Sequence, residues 1–354
     1  MRRIARPLSL LSLAILLGAC QPEFPLGPTA SSVPSTIPIK TGTPLATVTS
    51  LPTTTPQSTA TPLSSAMPLP TGTPSDASAV NPLPTVSNPL LTRRTLTHDG
   101  EERIYFLHVP ETLEGPAPVV LIFTGNTQTS YNMSMVTGLS EMADDEGFIA
   151  VYPKSLEGNG LYATVPEVGV DDLGFLRAIL AVLETEYDID MHRVYATGNS
   201  NGAFFAQRVA CEMADTVAAV ASVSGTMPES IADDCQPTRP ISVMLIHGTD
   251  DYVVPFNGQP GRFLGVPATF DLWRQINDCN ENFISAQMAD RANDGMRVQQ
   301  IIANECSEGT EVVLIAVQGG GHAWPGGSYV DRQTTQDINA SIAMWQFFVA
   351  HPLP

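Results

Sequence analysis

Ser200 lies between two glycines in the stretch YATGNSNGAFFA, Tyr195 to Ala206, where an apolar, β-like run gives way to a helix-like one. A serine hydroxyl is a poor nucleophile near neutral pH and needs a histidine to take its proton. The histidine in turn needs a carboxylate to fix its tautomer and offset its developing charge. Both groups follow downstream. SVMLIHGTDDYVVP carries Asp250 and Asp251, the latter 51 residues after the serine, and EVVLIAVQGGGHAWPGG carries His322 another 71 residues on. Gly-x-Ser-x-Gly alone is weak, because an ordinary strand-to-helix turn can spell it. The three residue types in the order serine, acid, histidine, each just beyond an apolar run, make it a constellation for nucleophilic acyl chemistry. His247 also ends an apolar run but precedes the acid, the wrong order for the base, and is read as a structural hydrogen-bonding residue. Asp171 and Asp172 are read as a helix cap and a loop contact.

The elements that must position these groups alternate. RTLTH and RIYFLHV flank Asp99-Gly100, a tight-turn pair, and predict a hairpin. PVVLIF, GFIAVYP, RVYATG, VAAVASVSG, ISVMLIHG and EVVLIAVQG are continuous β-branched or apolar runs, the pattern of strands covered on both faces. DDLGFLRAILAVLETEY places Leu173, Leu176, Ile179, Leu180 and Leu183 at helical spacing, with Asp171 or Asp172 as cap. NGAFFAQRVACEM and ASIAMWQFFVAH read as further helices. The expected fold class is α/β, with a mainly parallel sheet and helices on both faces. Ligands then gather at the carboxyl ends of the strands, where all three candidate residues fall.

The whole chain sets the frame. Residues 1–20 read as an export signal: Arg2, Arg3 and Arg6, an apolar run from Leu8 to Leu17 too short to span a bilayer, then Leu17-Gly18-Ala19-Cys20, which looks like a bacterial lipobox with Cys20 as the lipidated residue. A plainly cleaved signal with an incidental cysteine is the alternative, and both send the protein out of the cytoplasm. Residues 21–92 are rich in Thr, Pro and Ser and read as a disordered tether. The remaining domain is Arg93–Pro354. The three arginines contribute +3 and Glu23, Lys40 and Asp76 a net −1, so the overall −19 leaves −21 on that domain. Such a field repels phosphate backbones and argues against nucleic-acid partners. With Cys20 set aside, Cys211, Cys235, Cys279 and Cys306 suggest two disulfides in an oxidising compartment, with three connectivities open. No Cys/His pattern points to a metal, and the chemistry calls for no cofactor.

RVYATGNSNGAFFAQRVACEMAD, HGTDDYVVPF, VDDLGFLRAIL and GGGHAWPGG together resemble the polyhydroxybutyrate depolymerase and feruloyl esterase group of secreted α/β-hydrolases, over nearly all of Arg93–Pro354. The resemblance implies an α/β-hydrolase fold, Ser200 as nucleophile, Asp251 rather than Asp250 as acid, His322 as base, and the sequential pairings Cys211 to Cys235 and Cys279 to Cys306. It implies a serine esterase acting on feruloyl or acetyl esters of plant polysaccharide, or on hydroxyalkanoate polyester or oligomers. Backbone N–H groups of Asn201 and of Asn126 or Thr127 would form the oxyanion hole, and Trp324 could flank the substrate pocket or simply pack. The chain departs from the group where a His-Gly pair usually follows the first core strand: Thr124-Gly125 stands there instead. The alternatives are an inactive binding protein on the same scaffold and a serine peptidase of the same fold. Oligomeric state has no signal in the sequence.

Overall fold

The computed structural model describes residues 90–156, 170–329 and 333–354. The export signal, Cys20 and residues 21–89 of the tether lie outside the described residues, whereas the tether's last residue, Thr92, opens β1. In chain order the elements are β1 (Thr92–His98), β2 (Glu101–His108), β3 (Ala117–Phe123), α1 (Ser130–Thr137), α2 (Leu139–Glu146), β4 (Ile149–Pro153), α3 (Asp172–Glu186), β5 (Ile189–Asn199), α4 (Asn201–Glu212), β6 (Ala219–Val223), α5 (Glu229–Ala232), β7 (Ser242–Gly248), α6 (Val266–Ile276), β8 (Ile284–Gln287), β9 (Arg297–Ala303), β10 (Val312–Gln318) and α7 (Ala340–Ala350).

One ten-stranded sheet runs in the order β1-β2-β4-β3-β5-β6-β7-β10-β9-β8. Its six central strands, β4 to β10, are parallel, and antiparallel pairs close both sides. The hairpin turns where expected: His98 pairs with Glu101, and both Asp99 (φ 50°) and Gly100 (φ 82°) are left-handed, as a two-residue turn requires.

The continuous apolar runs are explained by burial on two faces. Along β3, Val119, Leu121 and Phe123 join a core with α3, α4 and α6, while Val120 and Ile122 join a second core with α1, α2 and α7. On the first face, Leu173, Leu176, Ile179, Leu180 and Leu183 of α3 are all buried. On the second, Tyr195 stacks on Phe348 at 4.8 Å between centroids. A fully buried side chain of this size contributes about 1.5–3 kcal/mol, so the two cores supply the main driving force.

Polar ties fix the hairpin to the layers. Asp171 caps α3, accepting from Gly174 N at 2.8 Å, and meets His98 Nε2 at 3.0 Å. Asp172 forms a buried ion pair with Arg103, whose guanidinium lies 4.1 Å over the Phe175 ring. His108 bridges Asp144 on α2 and the Leu90 carbonyl, each at 2.8 Å. Two disulfides join Cys211 to Cys235 and Cys279 to Cys306. The first ties the end of α4 to the loop after α5, and the second ties the loop after α6 to the segment after β9. Closing loops of 24 and 27 residues is worth about 3.5 kcal/mol each in the chain-entropy model.

Candidate active site

Between β5 and α4 the chain turns so sharply that Ser200 takes φ 55° and ψ −118°. A residue with a Cβ rarely adopts this conformation, and it costs on the order of 1–3 kcal/mol. Packing enforces it. Ser200 N donates to Val223 O at 3.0 Å, and its carbonyl accepts from Ala203 N at 2.9 Å and Phe204 N at 3.1 Å. The flanking glycines are sterically required: a Cβ on Gly198 would lie 2.3 Å from Gly202 O, and one on Gly202 would lie 2.3 Å from Phe123 O. The serine makes no side-chain cap bond to α4. Its hydroxyl therefore stands at the positive end of the helix without being spent on capping.

Asp251, just beyond β7, is buried with 4 % of its surface exposed. Its Oδ1 accepts from Val253 N at 2.9 Å and Val254 N at 2.8 Å. Its Oδ2 accepts from His322 Nδ1 at 2.7 Å and lies 3.3 Å from His247 Nε2. Burial by itself pushes the carboxyl pKa up, but the hydrogen bonds from His247 and His322 and the backbone of Val254 outweigh it and hold the group well below the usual carboxylate range. It is ionised at neutral pH. Asp250 is exposed, and its carboxylate accepts from its neighbour Thr249 Oγ1 at 3.0 Å.

The loop after β10 carries His322 and is tied down on two sides. Asp250 N donates to Gly320 O at 2.8 Å, and Ser224 Oγ, at the end of β6, donates to Ala323 O at 3.0 Å. Gly248 admits this loop, since a Cβ there would lie 2.2 Å from Gly320 O. The carboxyl ends of β5, β6, β7 and β10 thus hold one another. Ser200 is bonded to Val223, Ser224 to the residue after His322, and His322 to Asp251. With Nδ1 donating to the carboxylate, Nε2 is the nitrogen left to act as base.

On the other side of the serine, the loop after β3 packs against the elbow. A Cβ on Gly125 would lie 3.2 Å from Ser200 Cβ. Gln128, which the sequence reading passed over, organises this loop. Its Oε1 accepts from Gly125 N at 2.8 Å, and its own N donates to Gly125 O at 3.1 Å. Thr127 takes a left-handed φ of 65°. Asn126 and Thr127 are exposed, and their N–H groups have no protein acceptor among the described residues. Asn201 opens α4 directly after the serine. Thr124 is buried where the resembled group carries histidine.

Trp324 is buried in the core on the α7 side, its Nε1 donating to Ser341 Oγ at 3.0 Å, and Ser341 in turn donates to Thr137 O at 2.6 Å. It braces the histidine loop from beneath. His247 is buried and donates from Nε2 to Val254 O at 2.8 Å, a structural hydrogen bond as read from its position. Among the described residues, the group that brings three possible metal ligands within 4.8 Å is His98, Asp99 and Asp171, at the hairpin turn and the α3 cap. It shares no residue with the serine site.

No family model matches the chain. A protein named as an esterase, NocK of Nocardia uniformis subsp. tsuyamanensis, is 29% identical over 269 residues, covering 70% of this chain and 78% of its own length. Feruloyl esterase B of Piromyces equi is 29% identical over 163 residues, 43% of this chain and 29% of that protein. A bifunctional acetylxylan esterase/xylanase of Neocallimastix patriciarum is 26% identical over 246 residues, 70% of this chain and 34% of that protein. The chain therefore spans about a third of the length of the last two. Taken with the strand order and the strained serine turn, these likenesses are consistent with an α/β-hydrolase fold and with the esterase group that the sequence motifs resemble.

Proposed function

We propose that the protein hydrolyses carboxylic esters through an acyl-enzyme formed on Ser200. His322 takes the hydroxyl proton at Nε2 as Ser200 Oγ attacks the ester carbonyl. Asp251, ionised and buried, holds the imidazole in the Nδ1–H tautomer and offsets its positive charge. The oxyanion is met by the backbone N–H of Asn201 and that of Asn126 or Thr127. Collapse expels the alcohol, which takes the proton back from His322. Water then enters, gives its proton to His322, and releases the acid by the same steps in reverse order. No step calls for a metal or an organic cofactor.

The observation that carries this reading is the 2.7 Å bond between His322 and Asp251 on loops bonded to the strained Ser200 turn. Gly125 packed against the serine, followed in the chain by the exposed Asn126 and Thr127, supports an electrophilic side built with Thr124 in place. Removing one oxyanion donor typically costs about 10²- to 10³-fold in rate, so these amides are a substantial part of the catalysis proposed.

The substrate class we infer is an ester of plant polysaccharide, feruloyl or acetyl, supported by the names of the relatives; hydroxyalkanoate oligomers are the second class. Two disulfides and the export signal support work outside the cytoplasm, with Cys20 as lipid anchor and residues 21–92 as tether. The test is product release from methyl ferulate, acetylated xylan and a hydroxybutyrate oligomer assayed side by side, with Ser200→Ala as blank. Ser200-dependent cleavage of one of them names the ester. Cleavage that survives in Ser200→Ala, or none above it, defeats the proposal.

A further inference from the structure

His247 is a buried histidine that the mechanism above does not use. It ends β7 beside Gly248, with 2 % of its surface exposed and its ring edge-on to Phe256 at 6.1 Å between centroids. Its Nε2 lies 2.8 Å from Val254 O and 3.3 Å from Asp251 Oδ2. A carbonyl and a carboxylate only accept, so Nε2 carries the proton and shares it between them. Nδ1 is buried without a hydrogen-bond partner among the described residues. The ring's hydrogen bonding is therefore carried by Nε2–H alone.

Asp251 is then enclosed by four donors. Val253 N and Val254 N occupy Oδ1, while His322 and His247 share Oδ2. The titratable groups that face it are His247 from β7 and His322 from the loop after β10; Asp250 is turned to Thr249.

We propose that His247 is a positioning residue of the catalytic site, a donor that holds the Asp251 carboxylate in the rotamer facing His322. This rests on the reading of Asp251 and His322 as the acid and base of the triad. Without His247 the carboxylate is free to turn away, so the base is aimed less often and kcat falls, while substrate binding, which does not use Asp251, changes little. A role limited to packing would lower the amount of folded protein, leave kcat per folded molecule in place, and not be rescued by a side chain that restores only the donor.

The experiment measures kcat and KM per folded molecule with a soluble p-nitrophenyl ester for the full chain, His247→Leu and His247→Gln, with Ser200→Ala as blank. His247→Leu should lower kcat about tenfold, with KM changed less than about twofold. In His247→Gln the side-chain amide N–H can reach the position of the imidazole Nε2–H, and kcat should return towards that of the unaltered protein. If His247→Leu yields no folded protein, His247→Asn, whose amide is too short to reach Oδ2, carries the same expectation. An unchanged kcat in the variant lacking the donor, or His247→Gln behaving no better than it, overturns the proposal. Turnover that persists in Ser200→Ala would instead refute the triad reading, and this inference with it.

Discussion

Replacing Ser200 by glycine should make the protein more stable while abolishing its activity. At φ 55° and ψ −118° a residue with a Cβ is strained, whereas for glycine the same angles mirror an ordinary extended conformation. The strain released is about 1–3 kcal/mol. Against it stands the greater freedom of glycine in the unfolded chain, about 0.4–1 kcal/mol. No cap bond is lost, because the Ser200 side chain makes none to α4. The comparison to make is with Ser200→Ala, which loses the hydroxyl but keeps the Cβ and hence the strain. Relative to alanine, glycine should gain about 1 kcal/mol, or about 3 °C in melting temperature for a domain of this size. The assay is thermal unfolding of both variants under matched conditions with disulfides intact, backed by denaturant titration to confirm that the slope is unchanged. A glycine variant equal to or less stable than the alanine variant would refute the reasoning that packing forces strain onto the nucleophile turn.

Asp251→Asn should lower kcat by about 10⁴-fold, since the amide favours the wrong tautomer of His322. The same variant reports on stability. A carboxyl whose folded-state pKa is depressed stabilises the protein above its free value of about 3.9, and that contribution is lost as pH falls through the folded-state value. Stability against pH should therefore show the acid loss steeper in the unaltered protein than in Asp251→Asn, with the gap between them constant above about pH 5; parallel curves would contradict the pairing. Replacing Cys279 and Cys306 by alanine should cost up to about 3.5 kcal/mol in unfolding free energy and leave kcat unchanged, whereas replacing Cys211 and Cys235, which anchor the end of α4, should cost stability and reduce kcat as well. Gln128→Ala should lower kcat more than it raises KM, because it releases Gly125 N from its acceptor and loosens the oxyanion side. Steady-state kinetics on a soluble ester checks the last two. Cys20→Ala should abolish incorporation of labelled fatty acid in cells, and a label retained in that variant would remove the proposed anchor.

The legible parts of this molecule are those whose signal is local. The central strands announce themselves because burial on both faces demands unbroken apolar runs, and PVVLIF and ISVMLIHG leave little else to form. The turn between β5 and α4 is spelled by Gly198, Ser200 and Gly202 because backbone atoms occupy the space a Cβ would need. Helices α1 and α2 were not anticipated. SYNMSMVT and LSEMADDE bury Met133, Leu139 and Ala143 among polar Ser134, Thr137 and Ser140, and carry no continuous apolar stripe. Helix α6 was missed although a signal existed: Val266, Phe270 and Trp273 are spaced for one buried face, with proline in the first turn. Strand β8 is exposed at every position and pairs only with β9, so no pattern marked it. Side-chain pairs far apart in sequence, such as Arg103 with Asp172, have no local signature at all. Gln128 is the instructive omission: a glutamine three residues after a glycine looks like loop filler until the fold brings that loop against the elbow.

The central claim is that Ser200 is activated by His322. A fluorophosphonate reacts with serine hydroxyls that have such a base and spares ordinary ones, so treating the intact protein with it and mapping the adduct by peptide mass spectrometry tests the claim most directly. The expected result is one adduct per molecule on the peptide containing Ser200, absent in Ser200→Ala and slowed by orders of magnitude in His322→Ala. A protein that stays unlabelled, or one labelled at Ser200 equally fast without His322, would contradict it.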